Sequence, residues 1–179
     1  MPKNSIEKIL FYIGASKEDC SDIPEKVIES YHNLFCGYKK NYKDVIGSKF
    51  EKNKQNDIIL FEEIDFFSTC KHHMIPFFGK IQIAYIPNKN IIGFSRINEL
   101  VFLITRKLQL QEDIAYEIAN EIQNSNLEPY GVFVQINGTH FCNLAKEKTS
   151  KPVKMKNFIT TGEFKKQDIL NRLQLILKF

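Results

Sequence analysis

The chain has 179 residues, of which 43% are hydrophobic and 26% are charged, and its formal net charge at pH 7 is +4. This length and composition suit one soluble globular domain, and the absence of any run of about 18 apolar residues argues against a transmembrane helix. The modest charge, with lysines mixed among acidic residues, does not call for a nucleic-acid surface. The first residues carry charges in place of a secretory signal, so we expect a cytoplasmic protein with reduced cysteines.

Two helices are predicted at the start of the chain. The first spans 4–13, where apolar residues recur at spacings of three and four. The second begins after Asp22, with Glu25 three residues later as in a capping box, and it ends at Gly37. The polar stretch 39–57 is predicted to be an exposed connection.

The rest of the chain alternates between strand and helix patterns. Strands are predicted where apolar residues alternate between turn signals, at 58–67, 79–86, 91–94 and 130–136. Helices are predicted where apolar residues recur every three or four positions, at 97–108, 112–124 and 168–177. The lysine-rich stretch 146–156 is predicted to be a solvent-exposed loop, with contact to an anionic ligand as the alternative.

This order of elements predicts an α+β fold. In it, a largely antiparallel sheet supports two long helices on one face. We divide the chain into an N-terminal helical region with its linker, 1–57, and a main region, 58–179. Both belong to one structural domain overall.

Candidate metal ligands are concentrated in two short stretches near predicted strand ends. Cys70, His72 and His73 lie in the first, and His140 and Cys142 lie in the second. Two thiols and one of the three imidazoles would make a Cys, Cys, His set, and three protein ligands with a fourth position open to water form the catalytic zinc pattern. The alternative is that the cysteines are buried as small hydrophobic residues and the histidines are ordinary polar groups. Spacing alone leaves both interpretations open.

Several motifs, taken in order from about residue 23 to residue 164, resemble the GTP cyclohydrolase I family. The motifs that carry the resemblance read FSTCKHHMIPFFGKI at 67–81, AYIP at 84–87, IGFSR at 92–96, RKLQLQE at 106–112 and THFC at 139–142. The resemblance implies the tunnelling fold, in which the sheets of several subunits join into a barrel, and a homodecamer of two pentameric rings. It also implies hydrolysis of GTP to formate and 7,8-dihydroneopterin triphosphate, the first step toward folate, other pterins or deazapurines.

The resemblance assigns the metal and catalytic residues. Cys70, His73 and Cys142 would bind Zn²⁺, which lowers the pKa of a bound water to about 7. His72 and His140 would carry protons to and from the substrate, since an ordinary histidine pKa near 6.5 suits both directions of transfer. For His72, the alternative is a group that orients a metal ligand.

The resemblance also assigns substrate contacts. Gln111 and Glu112 match the family pair that holds guanine, and a carboxylate can accept two parallel hydrogen bonds from the ring N–H and the amine of that base. The alternative for Glu112 is the ordinary preference for acidic residues in the first turn of a helix. The expected contacts with the triphosphate are Ser95, Arg96, Lys26 and Lys146.

The chain departs from the family at several of these positions. Lys26 and Lys146 stand where the family has arginine, which removes the bidentate fork, and Glu99 replaces a phosphate-binding arginine. Lys71 replaces the glutamate that usually follows the first cysteine. We therefore keep open a catalytically weak homologue that binds purines or pterins, or that partners a true cyclohydrolase. A third hypothesis is a zinc-stabilised nucleic-acid-binding module. The basic stretch 146–156 supports it, and the lack of an obvious fourth zinc ligand opposes it.

Overall fold

Two of the described helices precede the main sheet in the chain, and four more lie between or after its strands. The computed structural model describes residues 2–16, 18, 21–39, 41, 45–47, 51–52, 57–146 and 151–177. Its helices are α1 (Pro2–Tyr12), α2 (Ile23–Leu34), α3 (Phe94–Thr105), α4 (Gln111–Gln123), α5 (Cys142–Lys146) and α6 (Gln167–Ile176). Short 3-10 turns cover Cys36–Tyr38 and Gly162–Lys165. In the described part of the chain, no helix is long and apolar enough to span a membrane.

The strands form one main sheet and one small ribbon. They are β1 (Glu51–Lys52), β2 (Ile59–Cys70), β3 (Pro76–Ile86), β4 (Asn90–Ile91), β5 (Leu108–Gln109), β6 (Gly131–His140) and β7 (Val153–Thr160). The main sheet has the order β5-β2-β3-β6-β7, and β1 pairs with β4 alone. All pairs are antiparallel except β5 with β2. The predicted α+β class and largely antiparallel sheet are confirmed.

The main core lies between one face of the sheet and the helices α3 and α4. Alternate residues of β3 and β6 point into it, as the predicted period of two requires. Its fully buried members include Ile81, Ile83, Tyr85, Val132, Val134, Ile136, Ile97, Leu100, Ile104, Ile114, Ile118 and Ile122. On the other face, α6 and the second 3-10 turn bury a smaller cluster around Phe133, Phe164 and Leu173. The predicted apolar stripes of α4 and β6 are therefore core residues.

The prediction of a basic loop over 146–156 is wrong in its second half. Val153 begins β7, which pairs with β6 from His140 opposite Val153 to Phe133 opposite Thr160. Within the chain β7 is an edge strand, where exposed lysines such as Lys154 and Lys156 are common because they discourage unwanted pairing. The lysines therefore gave the start of β7 the composition of an exposed loop.

Three boundaries near the middle of the chain also differ from the prediction. Helix α3 spans Phe94–Thr105 in place of 97–108, and it ends where Thr105 Oγ1 donates to Val101 O over 2.8 Å. The residues that follow pair with β2 as the short parallel strand β5, which the prediction missed. Strand β6 continues to His140 beyond the predicted end at 136. These changes bring β5 and β6 directly to the candidate ligands.

The N-terminal region holds two further corrections. Asp22 makes no side-chain hydrogen bond to the start of α2, so the predicted capping box is wrong; its carboxylate lies 3.8 Å from Lys26 Nζ instead. In the connection predicted to be exposed, Val45 and Ile46 are buried in the main core. Both are apolar residues in an otherwise polar segment, so their burial follows from the hydrophobic effect.

Candidate metal centre and active site

A tight turn after β2 brings His73 back to Cys70. Cys70 N donates to Ile75 O over 3.0 Å, and Met74 N donates to Cys70 O over 2.9 Å. Met74 has φ of 55°, the left-handed conformation that lets the chain reverse within so few residues. The turn sets His73 Nδ1 3.8 Å from Cys70 Sγ.

Strand pairing brings the second stretch beside this turn. Strand β3 follows the turn and pairs with β6 so that Phe77 lies opposite His140, and Cys142 begins α5 immediately afterwards. The ligand atoms of Cys70, His73 and Cys142 all lie within 4.8 Å of one another. In a tetrahedral zinc site, neighbouring sulfur and nitrogen ligands are about 3.6–3.8 Å apart, which follows from zinc–ligand bonds of about 2.0–2.3 Å. The three residues fit one zinc ion with little movement.

The composition of the cluster favours a catalytic site over a structural one. Cys70 is buried, while His73 and Cys142 are half-buried. In the part of the chain that the structure describes, the cluster has these three members, which leaves a fourth tetrahedral position for water or substrate. Among the described residues, the thiols of Cys36, Cys70 and Cys142 are free.

His140 lies beside the cluster in a defined environment. Its ring stacks on Phe77, with centroids 4.5 Å apart and planes 10° from parallel. Its Nε2 lies 2.9 Å from Gln111 Oε1. Burial lowers the pKa of His140 below its ordinary 6.5, and the nearby carboxylate of Glu112 opposes that shift. The stack on Phe77 therefore fixes the plane of the imidazole, and the contact with Gln111 fixes the position of its Nε2 atom.

His72 occupies the same turn as the ligands but lies on its surface. It is exposed, and its ring meets that of His73 edge to face at 6.0 Å between centroids. This placement suits a group that exchanges protons with solvent or substrate, and it equally suits a group that steadies His73. Its catalytic role stays a prediction.

The first turn of α4 forms the wall beside His140. Glu112 is exposed there, whereas Gln111 is 1% exposed and its amide is bonded within the chain. Asp113 Oδ2 accepts from Lys71 Nζ at 3.2 Å and from Leu110 N at 3.4 Å. Lys71, which replaces a glutamate of the family pattern, therefore has an acidic partner. This ion pair ties the metal turn, the turn that carries Cys70 and His73, to α4.

Comparison with known proteins identifies the family. The family model described as GTP cyclohydrolase I matches residues 2–176. The chain is 38% identical over 168 residues to a GTP cyclohydrolase 1 of Allorhizobium ampelinum, covering 91% of this chain and 82% of that protein. It is 32% identical to a GTP cyclohydrolase 1 of Wolinella succinogenes, covering 92% and 88%. The chain belongs to the GTP cyclohydrolase I family.

Membership in the GTP cyclohydrolase I family gives the enzyme class, a hydrolase that acts on cyclic amidines. Among solved structures, the apo form of the archaeosine synthase QueF-Like overlaps with 61% of this chain and 97% of its own, with a TM-score of 0.48 and 12% identity. The family assignment rests on the sequence comparisons.

The predicted phosphate contacts do not gather at the metal cluster within one chain. Ser95 and Arg96 are exposed in the first turn of α3, whose Phe94 ring lies 6.0 Å from the ring of Phe61 on β2. Phe61 precedes Cys70 by nine residues on the same strand, a span of at most about 30 Å at about 3.3 Å per residue, which the bulge between Phe61 and Ile64 shortens. Ser95 and Arg96 therefore lie near the opposite end of β2 from the metal ligands.

Two of the predicted phosphate contacts form ion pairs with acidic residues, and the side chain of a third is not among the described residues. Arg96 pairs with Glu99 at 3.3 Å, and Lys26 pairs with Asp22. The side chain of Lys146, at the end of α5, lies outside the described residues. The glutamate that reverses a family charge thus contacts the neighbouring cation directly.

Two residues that shape the site were not predicted from the sequence. Asn157 of β7 accepts from Gln111 Nε2 over 2.7 Å, and Gly138 of β6 lies directly under the Gln111 amide. A glycine inside a strand pattern signals close approach of another group, so Gly138 could have been found. Asn157 carried no comparable signal, because its contact depends on the pairing of β7.

Proposed function

We propose that this chain is a zinc-dependent GTP cyclohydrolase I of the cytoplasm. It would convert GTP and water to formate and 7,8-dihydroneopterin triphosphate, the first step toward folate, other pterins or deazapurine products. The observation that carries the proposal is the convergence of the Cys70, His73 and Cys142 ligand atoms within 4.8 Å, beside His140 and the carboxylate of Glu112. Family membership supports the choice of substrate.

Cys70, His73 and Cys142 would hold the zinc ion. When bound, zinc supplies a Lewis acid and makes a water molecule nucleophilic at neutral pH. The half-buried position of two of the ligands leaves an open side toward solvent. The turn after β2 contributes two of the three ligands, so its closed backbone hydrogen bonds support metal affinity.

His140 and His72 would carry the protons that ring opening requires. The lowered pKa of His140 favours the neutral imidazole, which accepts a proton and returns it later. Phe77 covers one ring face and keeps water away from it. The exposed carboxylate of Glu112 would accept hydrogen bonds from the guanine ring N–H and amine, which distinguishes guanine from adenine.

A second copy of the chain would complete the phosphate site. The first turn of α3 contacts Phe61, and Cys70 lies nine residues further along β2, so the Ser95–Arg96 turn and the candidate metal ligands lie toward opposite ends of this strand. A neighbouring subunit can bring its own α3 to this metal cluster. The expected homodecamer of two pentamers would meet this requirement, because each active site would then contain the first turn of α3 from a neighbouring subunit.

The edges of the sheet support such an assembly. Within the described chain, β7 has one unpaired edge, and β2 is paired with β5 only at Thr69 and Cys70. The edge strand β7 carries exposed Lys154 and Lys156, and β2 carries exposed Glu62, Glu63 and Asp65, the last two of which also contact Lys80 within the chain. Edge lysines discourage pairing with other strands, whereas an acidic strand complements their charge, so pairing of β7 with β2 of another copy is favoured and would close the sheets into the barrel of the tunnelling fold.

The deciding experiment uses the purified full-length protein. We expect about one zinc ion per chain, as three ligands with one open position imply, and equal release of formate and a pterin triphosphate from GTP. Cys142→Ala should lose both metal and turnover, whereas the matched control Cys36→Ala, another free thiol, should keep both. Full zinc retention in Cys70→Ala and Cys142→Ala would eliminate this site. Zinc-loaded protein that fails to turn over any guanine nucleotide would refute the enzymatic proposal.

One observation favours a second candidate function. Because Glu99 already occupies Arg96 at 3.3 Å, the site has less positive charge available for a triphosphate than the family pattern provides. A homologue that binds a purine or pterin with fewer phosphates fits this balance. Comparison of GTP, GMP and guanosine as ligands distinguishes the two candidates, since a true cyclohydrolase prefers GTP.

A further inference from the structure

The side-chain amide of Gln111 has one orientation open to it. Its Nε2 lies 3.3 Å from Ile136 O, 3.2 Å from Met155 O and 2.7 Å from Asn157 Oδ1. The two main-chain carbonyls can only accept hydrogen bonds, so the amide nitrogen must face them. Rotation of the amide by 180° would set oxygen against oxygen in a buried site, with the desolvation cost of unsatisfied groups. The Oε1 atom is therefore the one that faces His140.

The fixed amide determines where the proton of neutral His140 resides. Gln111 Oε1 lies 2.9 Å from His140 Nε2 and can only accept, so Nε2 must carry a proton. In a neutral imidazole the other nitrogen, Nδ1, is then unprotonated. Stacking on Phe77 with planes 10° from parallel keeps the ring edge in the plane that this hydrogen bond needs.

Gly138 provides the space that this hydrogen bond occupies. A Cβ atom at position 138 would lie 2.0 Å from Gln111 Oε1 and 3.4 Å from His140 Nε2. The first distance is impossible for real atoms, so any side chain there would displace the amide from His140. The strand therefore keeps an empty position directly beneath the Gln111–His140 contact.

We propose that Asn157 and Gln111 are positioning residues that hold neutral His140 as its Nε2–H tautomer, with Nδ1 as the atom that exchanges protons with the substrate. The role of Nδ1 in turnover rests on the proposed function; the tautomer itself does not. Gln111 touches His140 over 2.9 Å, and Asn157 acts one step further away through the 2.7 Å bond to Gln111. This assignment gives Gln111 a task toward His140, while its predicted contact with guanine stays a separate prediction.

The first test reads the tautomer directly. Zinc-loaded, full-length protein labelled with ¹⁵N at histidine is measured by magic-angle-spinning NMR, which tolerates large assemblies. The chain has four histidines, and the spectrum of His140→Asn identifies the His140 signals. We expect protonated Nε2 and bare Nδ1 in the neutral ring. A neutral His140 protonated on Nδ1 would overturn the proposal.

Variants with a matched control separate positioning from general stability. Gln111→Met removes the amide, and Gly138→Ala displaces it without changing its chemistry. Gln109→Met is the control, because Gln109 is also a buried glutamine but donates to Ser68 Oγ and Ile104 O, away from His140. We expect mixed tautomers in the first two variants and the wild-type tautomer in the control. The wild-type tautomer in all three would contradict the proposal.

Kinetics provide an independent measurement. Gln111→Met should lower kcat by about 10- to 100-fold, the scale seen when an orienting partner is removed, with KM changed by less than about threefold. Asn157→Leu should lower kcat in the same direction by a smaller factor. A rise in KM with unchanged kcat and tautomer would instead mean that Gln111 binds the base. If wild-type protein lacked turnover, the proposed function would fail while the tautomer measurement would still decide this inference.

Discussion

Glu99 offers the sharpest test of how this chain handles a triphosphate. Its carboxylate lies 3.3 Å from Arg96, and both side chains are about half exposed, at 50% and 57%. At that separation in the dielectric of bulk water, two unit charges interact by about 1.3 kcal/mol. Measured exposed pairs contribute about 0.2–1 kcal/mol after screening and side-chain entropy. Glu99→Gln should therefore make about 0.5–1 kcal/mol available for phosphate binding.

This free energy corresponds to a KM for GTP that is about two- to fivefold lower at low ionic strength, with kcat little changed. The gain should shrink at about 1 M salt, where the Debye length is about 3 Å. The assay follows pterin product against GTP concentration, with Glu18→Gln as a control that removes the same charge from the connection between α1 and α2. An unchanged KM in Glu99→Gln and in Glu99→Arg, together with wild-type preference for GMP or guanosine, would refute the reasoning.

Three further predictions follow from the site and the core. Cys142→Ala should release zinc, and chelated wild-type protein should stay folded by circular dichroism, because a catalytic metal does not hold the core together. His140→Ala and His72→Ala should keep zinc, measured by metal analysis, and lose about 100-fold or more in turnover; near-normal turnover in both would remove their assigned roles. Ile118→Ala, at a fully buried position, should lower the free energy of unfolding by about 2–5 kcal/mol in denaturant titrations, and a loss below about 1 kcal/mol would contradict the described core.

The convergence of Cys70, His73 and Cys142 could be predicted from sequence because these residues are close in the chain or follow adjacent strands. Cys70 and His73 share one turn, and Cys142 follows a strand that pairs beside that turn. Local spacing therefore links Cys70 with His73, whereas the pairing of β3 with β6 brings Cys142 to them.

Contacts set by strand pairing could not be read in the same way. Asn157 reaches Gln111 only because β7 pairs with β6, and the lysines of β7 concealed that strand. Separation along a strand was also invisible to motif reading, which grouped Ser95 and Arg96 with the metal site. The buried position of Gln111 depends on Gly138, which lies on another element.

The charge reversal at Lys71 is accommodated locally. Its ammonium lies 3.2 Å from Asp113 Oδ2, an oxygen that also accepts from Leu110 N at the start of α4. The pair is about half exposed, so its contribution to stability is small. Its consequence is geometric, because it joins the metal turn to the helix that carries Gln111 and Glu112.

Strand β2 has the candidate metal ligand Cys70 at one end and the first turn of α3 near the other, so a single chain would contribute to two different sites under the proposed assembly. Two defective alleles can then rescue each other. A copy with Cys142→Ala still lends Arg96 to its neighbour, and a copy with Arg96→Ala still binds zinc. Mixed rings of the two would contain some sites in which both halves are intact, whereas rings of either variant alone contain none. The activity observed with such variants would therefore depend on the composition of the ring and not on either chain alone.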